Sequence, residues 1–156
     1  NYVHNPAFTH ACRLIAEGVI GKPVHFRGWV DEDYQADGDL AWTWRARRAD
    51  AGLGALGDLG CHLVSMAVAL MGPIASLIAD TQIVHATRPM PDGSGDAAVE
   101  NEDTASAIVR FASGAQGTLC TSRAAWTCAF CPAWKSCWRP GASRARPTVW
   151  ASASPR

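Results

Sequence analysis

Apolar residues recur with the period of an α-helix in two segments of this chain. In the first, Asn5 and Pro6 are typical of a helix start, because Asn can cap free N–H groups and Pro fits the first helical position. Gly18 is placed to end that helix. The second helix is expected over about 56–71. It is apolar nearly all round, so we expect it to be buried.

Alternation of apolar and polar residues over 24–30 predicts a strand with two unlike faces. Further strands are expected over about 75–86, 104–111 and 116–122, with 112–115 joining the last two as a hairpin. The order is helix, strand, helix, strand, strand, strand. It predicts an α+β domain whose open, largely antiparallel or mixed sheet carries its helices on one face.

Two segments lack either period and are predicted to be loops. Residues 31–55 are acidic, aromatic and glycine-rich, and their Trp and Tyr side chains favour a long ordered loop over disorder. Residues 87–102 hold two prolines and two glycines and should form an exposed excursion. The pattern ends near residue 125, so we expect one domain over 1–125 and an atypical tail over 126–156.

The composition of this tail sets it apart. It crowds tryptophan, cysteine, proline and arginine together without an acidic residue, a mixture typical of an out-of-frame reading of GC-rich coding DNA. We therefore hypothesise that residues from about Thr127 onward are not native to this fold. The basic residues of the tail follow no amphipathic pattern, so nucleic acid is not expected as a partner.

Length and composition are those of an ordinary globular protein. The 156 residues are 48% hydrophobic and 18% charged, which leaves room for one core and argues against disorder. No apolar run of about 18 residues lacks a charge, so neither a membrane span nor a membrane partner is expected. The net charge of zero is an average, because 1–125 holds 9 basic and 14 acidic side chains and the tail holds only basic ones.

The 6 cysteines are not spaced like a disulfide scaffold, and reduced thiols in a cytoplasmic protein are the simpler interpretation. Cys128 and Cys131 form one Cys-x-x-Cys pair, with Cys120 upstream and Cys137 beyond. A structural zinc site usually needs a second pair at matching spacing, so no metal is predicted.

The candidate chemistry lies where a glycine-rich run, 52–57, leads into the second helix, which carries Asp58 and His62. Residues four apart share one helix face, so both side chains should enter one space. Histidine titrates near neutral pH, which suits removal of a hydroxyl proton. Two other interpretations stay open: Asp58 could satisfy free N–H groups of the first turn, and His62 could be a hydrogen-bonded core histidine.

A second candidate lies just before this run. Trp42, Trp44 and Arg45 can together line a sugar-sized pocket through stacking and hydrogen bonds. Arg45 is therefore a candidate substrate-binding residue, with packing of the loop as the alternative.

Three motifs, in this order, resemble the C-terminal domain of the Gfo/Idh/MocA oxidoreductases. They are 1–6 with the glycine connector 18–21, the stretch 52–62, and the hairpin over 103–122. The middle one is similar to the family signature Gly-Gly-Gly-x-Leu-x-Asp-x-Gly-x-His. The last is similar to the family's hairpin, in which an Asp, here Asp103, precedes the pattern Phe-x-x-Gly-x-x-Gly. The resemblance covers about residues 1–125.

The resemblance implies the substrate-side part of a two-domain dehydrogenase. Such an enzyme transfers hydride between NAD or NADP and a sugar, cyclitol or related alcohol. His62 would be the proton acceptor, Asp58 would bind or orient the substrate hydroxyl, and Asn1 and Tyr2 would contact substrate. The nucleotide would be bound mainly by a Rossmann domain that is absent here, so the chain alone is expected to be inactive.

A non-catalytic oligomerisation or interaction module is the alternative. In this family the open sheet of the domain commonly packs against another subunit, which implies a homo-oligomer. Alternating apolar residues of the predicted strands would supply that surface: Val24, Phe26, Val30, Ala105, Ala107, Val109 and Phe111.

Overall fold

A computed structural model describes residues 2–124 of the chain. Within them the helices and strands follow in this order: α1 Pro6–Ala16, β1 His25–Asp31, α2 Arg48–Ala51, α3 Cys61–Met71, β2 Ile74–Gln82, β3 Thr87–Pro89, β4 Asp96–Ala98, β5 Thr104–Phe111 and β6 Gln116–Ser122. A π-helical turn, Leu56–Gly60, runs directly into α3. Short 3-10 turns lie at Tyr2–His4 and Trp44–Ala46.

The capping residues place α1 where they were predicted to. The Asn5 side chain accepts a hydrogen bond from the Ala7 N–H at 2.9 Å, and Pro6 occupies the first helical position. Beyond the helix, Gly18 has φ 73°, a left-handed conformation that glycine adopts without strain. Both ends of the first predicted helix are therefore confirmed.

Four strands form one sheet in the order β1-β6-β5-β2. β1 runs parallel to β6, whereas the β6–β5 and β5–β2 pairs are antiparallel. The hairpin joining β5 to β6 turns at Gly114, with φ 87°. The predicted class, α+β with an open mixed sheet, is confirmed.

The sheet face toward α3 carries the core. Val109, Phe111 and Leu119 of the sheet are each at most 6% exposed and cluster with Leu63 of α3. Phe26 of β1 meets Phe111 edge to face, with 6.4 Å between ring centroids. Each large apolar side chain buried in this way contributes about 1.5–3 kcal/mol relative to an exposed one.

The residues predicted to form an oligomer surface lie mostly on this core face, so that part of the prediction is wrong. They belong to the buried core or pack against it: Phe26, Val30, Ala105, Ala107, Val109 and Phe111. Because side chains alternate along a strand, the opposite face carries different residues. There Trp29, Ile78 and Ile108 are 65%, 80% and 66% exposed.

α3 is buried along one stripe rather than all round. Leu63 and Ala67 face the sheet and are buried, whereas Cys61 is exposed and Val68 is 39% exposed. A single sheet face covers only one side of a helix, so the expectation of a fully buried helix is wrong for the described part of the chain.

The two predicted loops contain more regular structure than expected. Residues 31–55 include α2, and within 87–102 the strands β3 and β4 pair as a small second sheet. Trp42 connects the two segments, because its ring N–H donates to the Ala98 carbonyl at 2.9 Å and its backbone N–H donates to the Pro89 carbonyl at 2.8 Å. The excursion is thus a packed element against which the long loop folds.

One stretch of the described chain, Arg48–Met71, is long and apolar enough to cross a membrane by length and composition, with a mean hydropathy of 1.6. The core helix of a globular protein passes the same test. Here the stretch is broken after α2 by Gly52, at φ 74°, and α3 packs on the sheet. The length and composition of Arg48–Met71 are therefore weak evidence for a membrane-spanning helix. The absence of a membrane partner stays a prediction.

Candidate active site

The glycine-rich run before Asp58 is held by one buried side chain, that of Glu102. Its Oε1 accepts hydrogen bonds from the Gly54 N–H at 2.8 Å and the Leu56 N–H at 3.0 Å. Its backbone carbonyl accepts a third from the Ala55 N–H at 2.8 Å. Glu102 is 6% exposed, and an ionised acceptor makes stronger hydrogen bonds than a neutral one. Three consecutive residues at the start of the site are therefore fixed by this one acid.

Gly54 lets the run approach Glu102 closely. A Cβ at Gly54 would lie 2.8 Å from the carbonyl carbon of Glu102 and would overlap its oxygen. The chain then enters the π-helical turn, where the Asp58 N–H donates to the Gly54 carbonyl at 3.0 Å. Turns of this kind are rare overall and are frequent at functional sites.

The Asp58 carboxylate is bound by a tyrosine from the long loop. The Tyr34 hydroxyl donates to Asp58 Oδ2 at 2.5 Å, across 24 residues of sequence. Tyr34 is 38% exposed, and the partial burial of its phenol raises the pKa of Tyr34 well above its usual value. The hydrogen bond and negative charge of Asp58 raise it further. The positive charges of Arg123 and Arg45 oppose that rise in the Tyr34 pKa. Tyr34 therefore stays protonated and remains a hydrogen-bond donor at neutral pH.

His62 lies on the first turn of α3 and is partly buried. Its ring meets that of Tyr2 edge to face, with centroids 5.0 Å apart and an interplanar angle of 78°. Tyr2, which was predicted to contact substrate, is thus beside the proposed base. Asn1, predicted with it, lies outside the described residues.

Arg45 is linked to Arg123 through Asn101, which bonds to both residues. Its guanidinium stacks on the Trp44 ring, 4.6 Å from the ring centroid. Its backbone carbonyl accepts a hydrogen bond from Asn101 Nδ2 at 2.9 Å. The positive charge of Arg45 also acts on the Tyr34 phenol, where it lowers the pKa.

A buried ion pair lies next to Asn101. Arg123 Nε donates to Asp103 Oδ1 at 3.0 Å, and the two side chains are 3% and 1% exposed. Asp103 Oδ2 accepts from the Val84 N–H at 2.8 Å, and Arg123 donates to the Asn101 carbonyl at 3.3 Å. A buried ion pair needs such additional hydrogen bonds to offset its desolvation.

Sequence reasoning missed Tyr34, Glu102, Asp103 and Arg123 as parts of this region. Residues 100–103 read Glu-Asn-Glu-Asp at the end of a segment interpreted as exposed, yet the structure buries three of the four. Charged residues are almost never fully buried unless they are paired, so their pairing is what the sequence does not display.

Metal ligands do not cluster in the region that the structure describes. Residues 2–124 contain no group of three or more His, Cys, Asp or Glu side chains placed to hold an ion. Cys12, Cys61 and Cys120 are free thiols. Cys128, Cys131 and Cys137 lie outside the described residues, so the zinc alternative stays untested.

Comparison with known proteins identifies the family. The GFO/IDH/MocA C-terminal domain matches residues 8–133, most of the chain. The chain belongs to the GFO/IDH/MocA family and carries its C-terminal domain. Levoglucosan dehydrogenase of Pseudarthrobacter phenanthrenivorans is 34% identical over 135 residues, covering 79% of this chain and 35% of that protein.

Solved structures agree with this assignment. An NAD-binding oxidoreductase from Klebsiella pneumoniae superposes with a TM-score of 0.77 at 41% identity, over 81% of this chain and 33% of that one. Levoglucosan dehydrogenase in complex with NADH and levoglucosan superposes with a TM-score of 0.76 at 35% identity, again over 81% and 33%. The chain therefore spans about a third of the length of these relatives.

Proposed function

We propose that this chain is the substrate-side domain of an NAD- or NADP-dependent dehydrogenase that acts on a sugar, cyclitol or related alcohol. One observation carries the proposal: Asp58 and His62 follow a glycine turn fixed by a buried acid, in a family with a levoglucosan dehydrogenase among its members. The three backbone hydrogen bonds to Glu102 fix the start of the turn that carries both side chains.

In this proposal His62 accepts the hydroxyl proton of the alcohol while hydride would pass from the carbon that bears that hydroxyl to NAD or NADP. Histidine suits that role because its imidazole exchanges protons near neutral pH. Asp58 hydrogen-bonds the substrate hydroxyl or orients it toward the imidazole. The bond from Tyr34 engages Oδ2 of Asp58, which leaves Oδ1 to meet the substrate.

The described residues do not form a dinucleotide site. Such a site needs a strand, a glycine-rich turn and a helix within a parallel βαβ unit. In the described part of the chain the glycine run follows the short helix α2 rather than a strand, and the parallel pair joins β1 to β6. In this proposal nucleotide is bound mainly by the part of the relatives that this chain does not cover, where NAD or NADP would supply the hydride acceptor.

The proposal is tested by supplying that domain. In a chimera, this chain replaces the C-terminal part of the Pseudarthrobacter levoglucosan dehydrogenase and is joined to that enzyme's nucleotide-binding part. NADH formation is then followed with levoglucosan and with a panel of sugars and cyclitols. Alcohol-dependent NADH formation is expected. A chimera that folds and binds NADH but oxidises none of these alcohols would contradict the proposal.

Arg45 is proposed to bind substrate with Trp44, Tyr2 and Asn1. We expect Arg45→Ala in the chimera to raise KM about tenfold, because a hydrogen bond to a charged group contributes roughly 1.5–3 kcal/mol. The value of kcat should change much less, since Arg45 takes no part in proton transfer. Arg47→Ala is the matched control, because Arg47 stacks on Trp42 at 5.0 Å in the same loop. Equal KM values for the two variants would place Arg45 in loop packing.

The second candidate function is oligomerisation through the open sheet, and the exposed face with Trp29, Ile78 and Ile108 favours it. Ile78 and Ile108 are direct neighbours across the β2–β5 pair. We expect Ile108→Arg to convert an oligomer of the chain to monomer in sedimentation velocity. Val19→Arg, at a position 65% exposed outside the sheet, should leave it unchanged. A wild-type chain that sediments as a monomer would exclude this role.

A further inference from the structure

Tyr34 is the hydrogen-bond partner of Asp58, and no sequence motif predicted this contact. Within residues 2–124 it is the one side chain that donates to the Asp58 carboxylate, and it does so at 2.5 Å. A carboxylate on a turn has several rotamers of similar energy, so a single strong donor decides which of them is populated. The direction of the Asp58 side chain therefore depends on where Tyr34 is held.

The backbone beside Tyr34 is fixed on both sides. The Glu32 N–H donates to the Ser122 carbonyl at 2.7 Å, and the Gln35 N–H donates to the Arg123 carbonyl at 2.9 Å, so the loop is tied to the end of β6. Arg88, 2% exposed, donates to the Gln35 carbonyl at 2.7 Å. The phenol thus projects from a rigid segment.

Among the charges around the phenol, the Asp58 carboxylate keeps its proton in place. Asp58 faces the hydroxyl directly, and Arg45 and Arg123 are the cations that act on it. Both cations oppose this, Arg123 from within its buried ion pair with Asp103, but partial burial and Asp58 together outweigh them. The hydroxyl therefore donates rather than accepts.

We propose that Tyr34 is a positioning residue, which fixes the Asp58 carboxylate through Oδ2 so that its other oxygen is presented to the substrate hydroxyl beside His62. This inference rests on the proposed function, because it assigns Asp58 the task of orienting an alcohol. It goes beyond the proposed function, since neither the family signature nor any relative described above assigns a role to Tyr34.

The kinetic test uses Tyr34→Phe in the chimera described above. We expect kcat to fall about tenfold with KM within about twofold, because the loss of a hydrogen bond to a charged group costs about 1.5–3 kcal/mol and 1.4 kcal/mol is a factor of ten. Ser65→Ala is the matched control. It removes a hydroxyl that donates to the Cys61 carbonyl at 2.7 Å on α3 and should leave kcat unchanged. A Tyr34→Phe enzyme with wild-type kcat would overturn the inference.

A second measurement is independent of turnover. The chain has 2 tyrosines, so Tyr2→Phe leaves Tyr34 as the one phenol that titrates in ultraviolet difference spectra. We expect its ionisation well above the ordinary tyrosine range, and a lower midpoint once Asp58→Asn is added, because the negative charge is then gone. An ordinary midpoint that Asp58→Asn does not move would overturn the inference.

The two measurements separate this inference from the proposed function. If the chimera oxidises no alcohol while the Tyr34 titration responds to Asp58, the function fails and the contact stands. If His62→Ala abolishes activity but Tyr34→Phe does not change kcat, the function stands and the positioning role is rejected.

Discussion

His62→Ala should lower kcat about a hundredfold or more in an enzyme restored with a nucleotide-binding domain, with the fold intact. General base catalysis by a positioned side chain typically contributes a factor of about 10²–10⁴. Alanine leaves no group on this turn of α3 to receive the hydroxyl proton, while Asp58 and the glycine run before it are untouched. The measurement is steady-state NADH formation, with the fold checked by circular dichroism.

The control for this variant is another histidine of the same chain. His10 lies on the exposed surface of α1 and its ring contacts Arg13 at 3.1 Å. His10→Ala should therefore retain full activity. Near-wild-type turnover in His62→Ala would assign His62 to packing against Tyr2 and remove the proton acceptor from the proposal.

Local sequence rules account for most of the secondary structure. The Asn5 cap of α1 and the hairpin at Gly114 depend on interactions within a few residues, and both were predicted. The parallel pairing of β1 with β6 depends on residues about 90 positions apart, which no local pattern reports. The same limit explains why the wrong sheet face was expected to be exposed: alternation defines two faces, and only the position of α3 decides which one is covered.

The candidate site divides in the same way. Asp58 and His62 could be predicted because they stand in one short motif. Tyr34 and Glu102 could not, since they reach the site from 24 and 48 residues away, through a loop and through a segment interpreted as solvent-exposed. The π-helical turn was also missed, because a spacing of four residues is read as α-helix by default. Whether residues 126–156 are native to the fold stays a prediction.

Gly54→Ala should destabilise the 156-residue chain by about 3 kcal/mol. Overpacking costs about 1–3 kcal/mol and occasionally more, and here the obstacle is backbone. The new Cβ would overlap the Glu102 carbonyl oxygen, which cannot rotate away as a side chain could. Relief requires the glycine run to move off Glu102, so the hydrogen bonds from Gly54 and Ala55 would weaken as well. The free energy of unfolding in urea, followed by tryptophan fluorescence, measures the loss.

Gly60→Ala is the matched control, because Gly60 ends the π-helical turn that follows the glycine run. Its Cβ would meet the end of the flexible Leu56 side chain at 2.9 Å, and the methyl group of Thr121 at an ordinary 3.5 Å. In a helix, alanine is more stable than glycine by about 1 kcal/mol, and this gain offsets the small repacking of Leu56. We therefore expect Gly60→Ala to unfold within about 1 kcal/mol of wild type. Equal stabilities for the two alanine variants would mean that Glu102 does not hold the glycine run, and the anchoring of the site would have to be sought elsewhere.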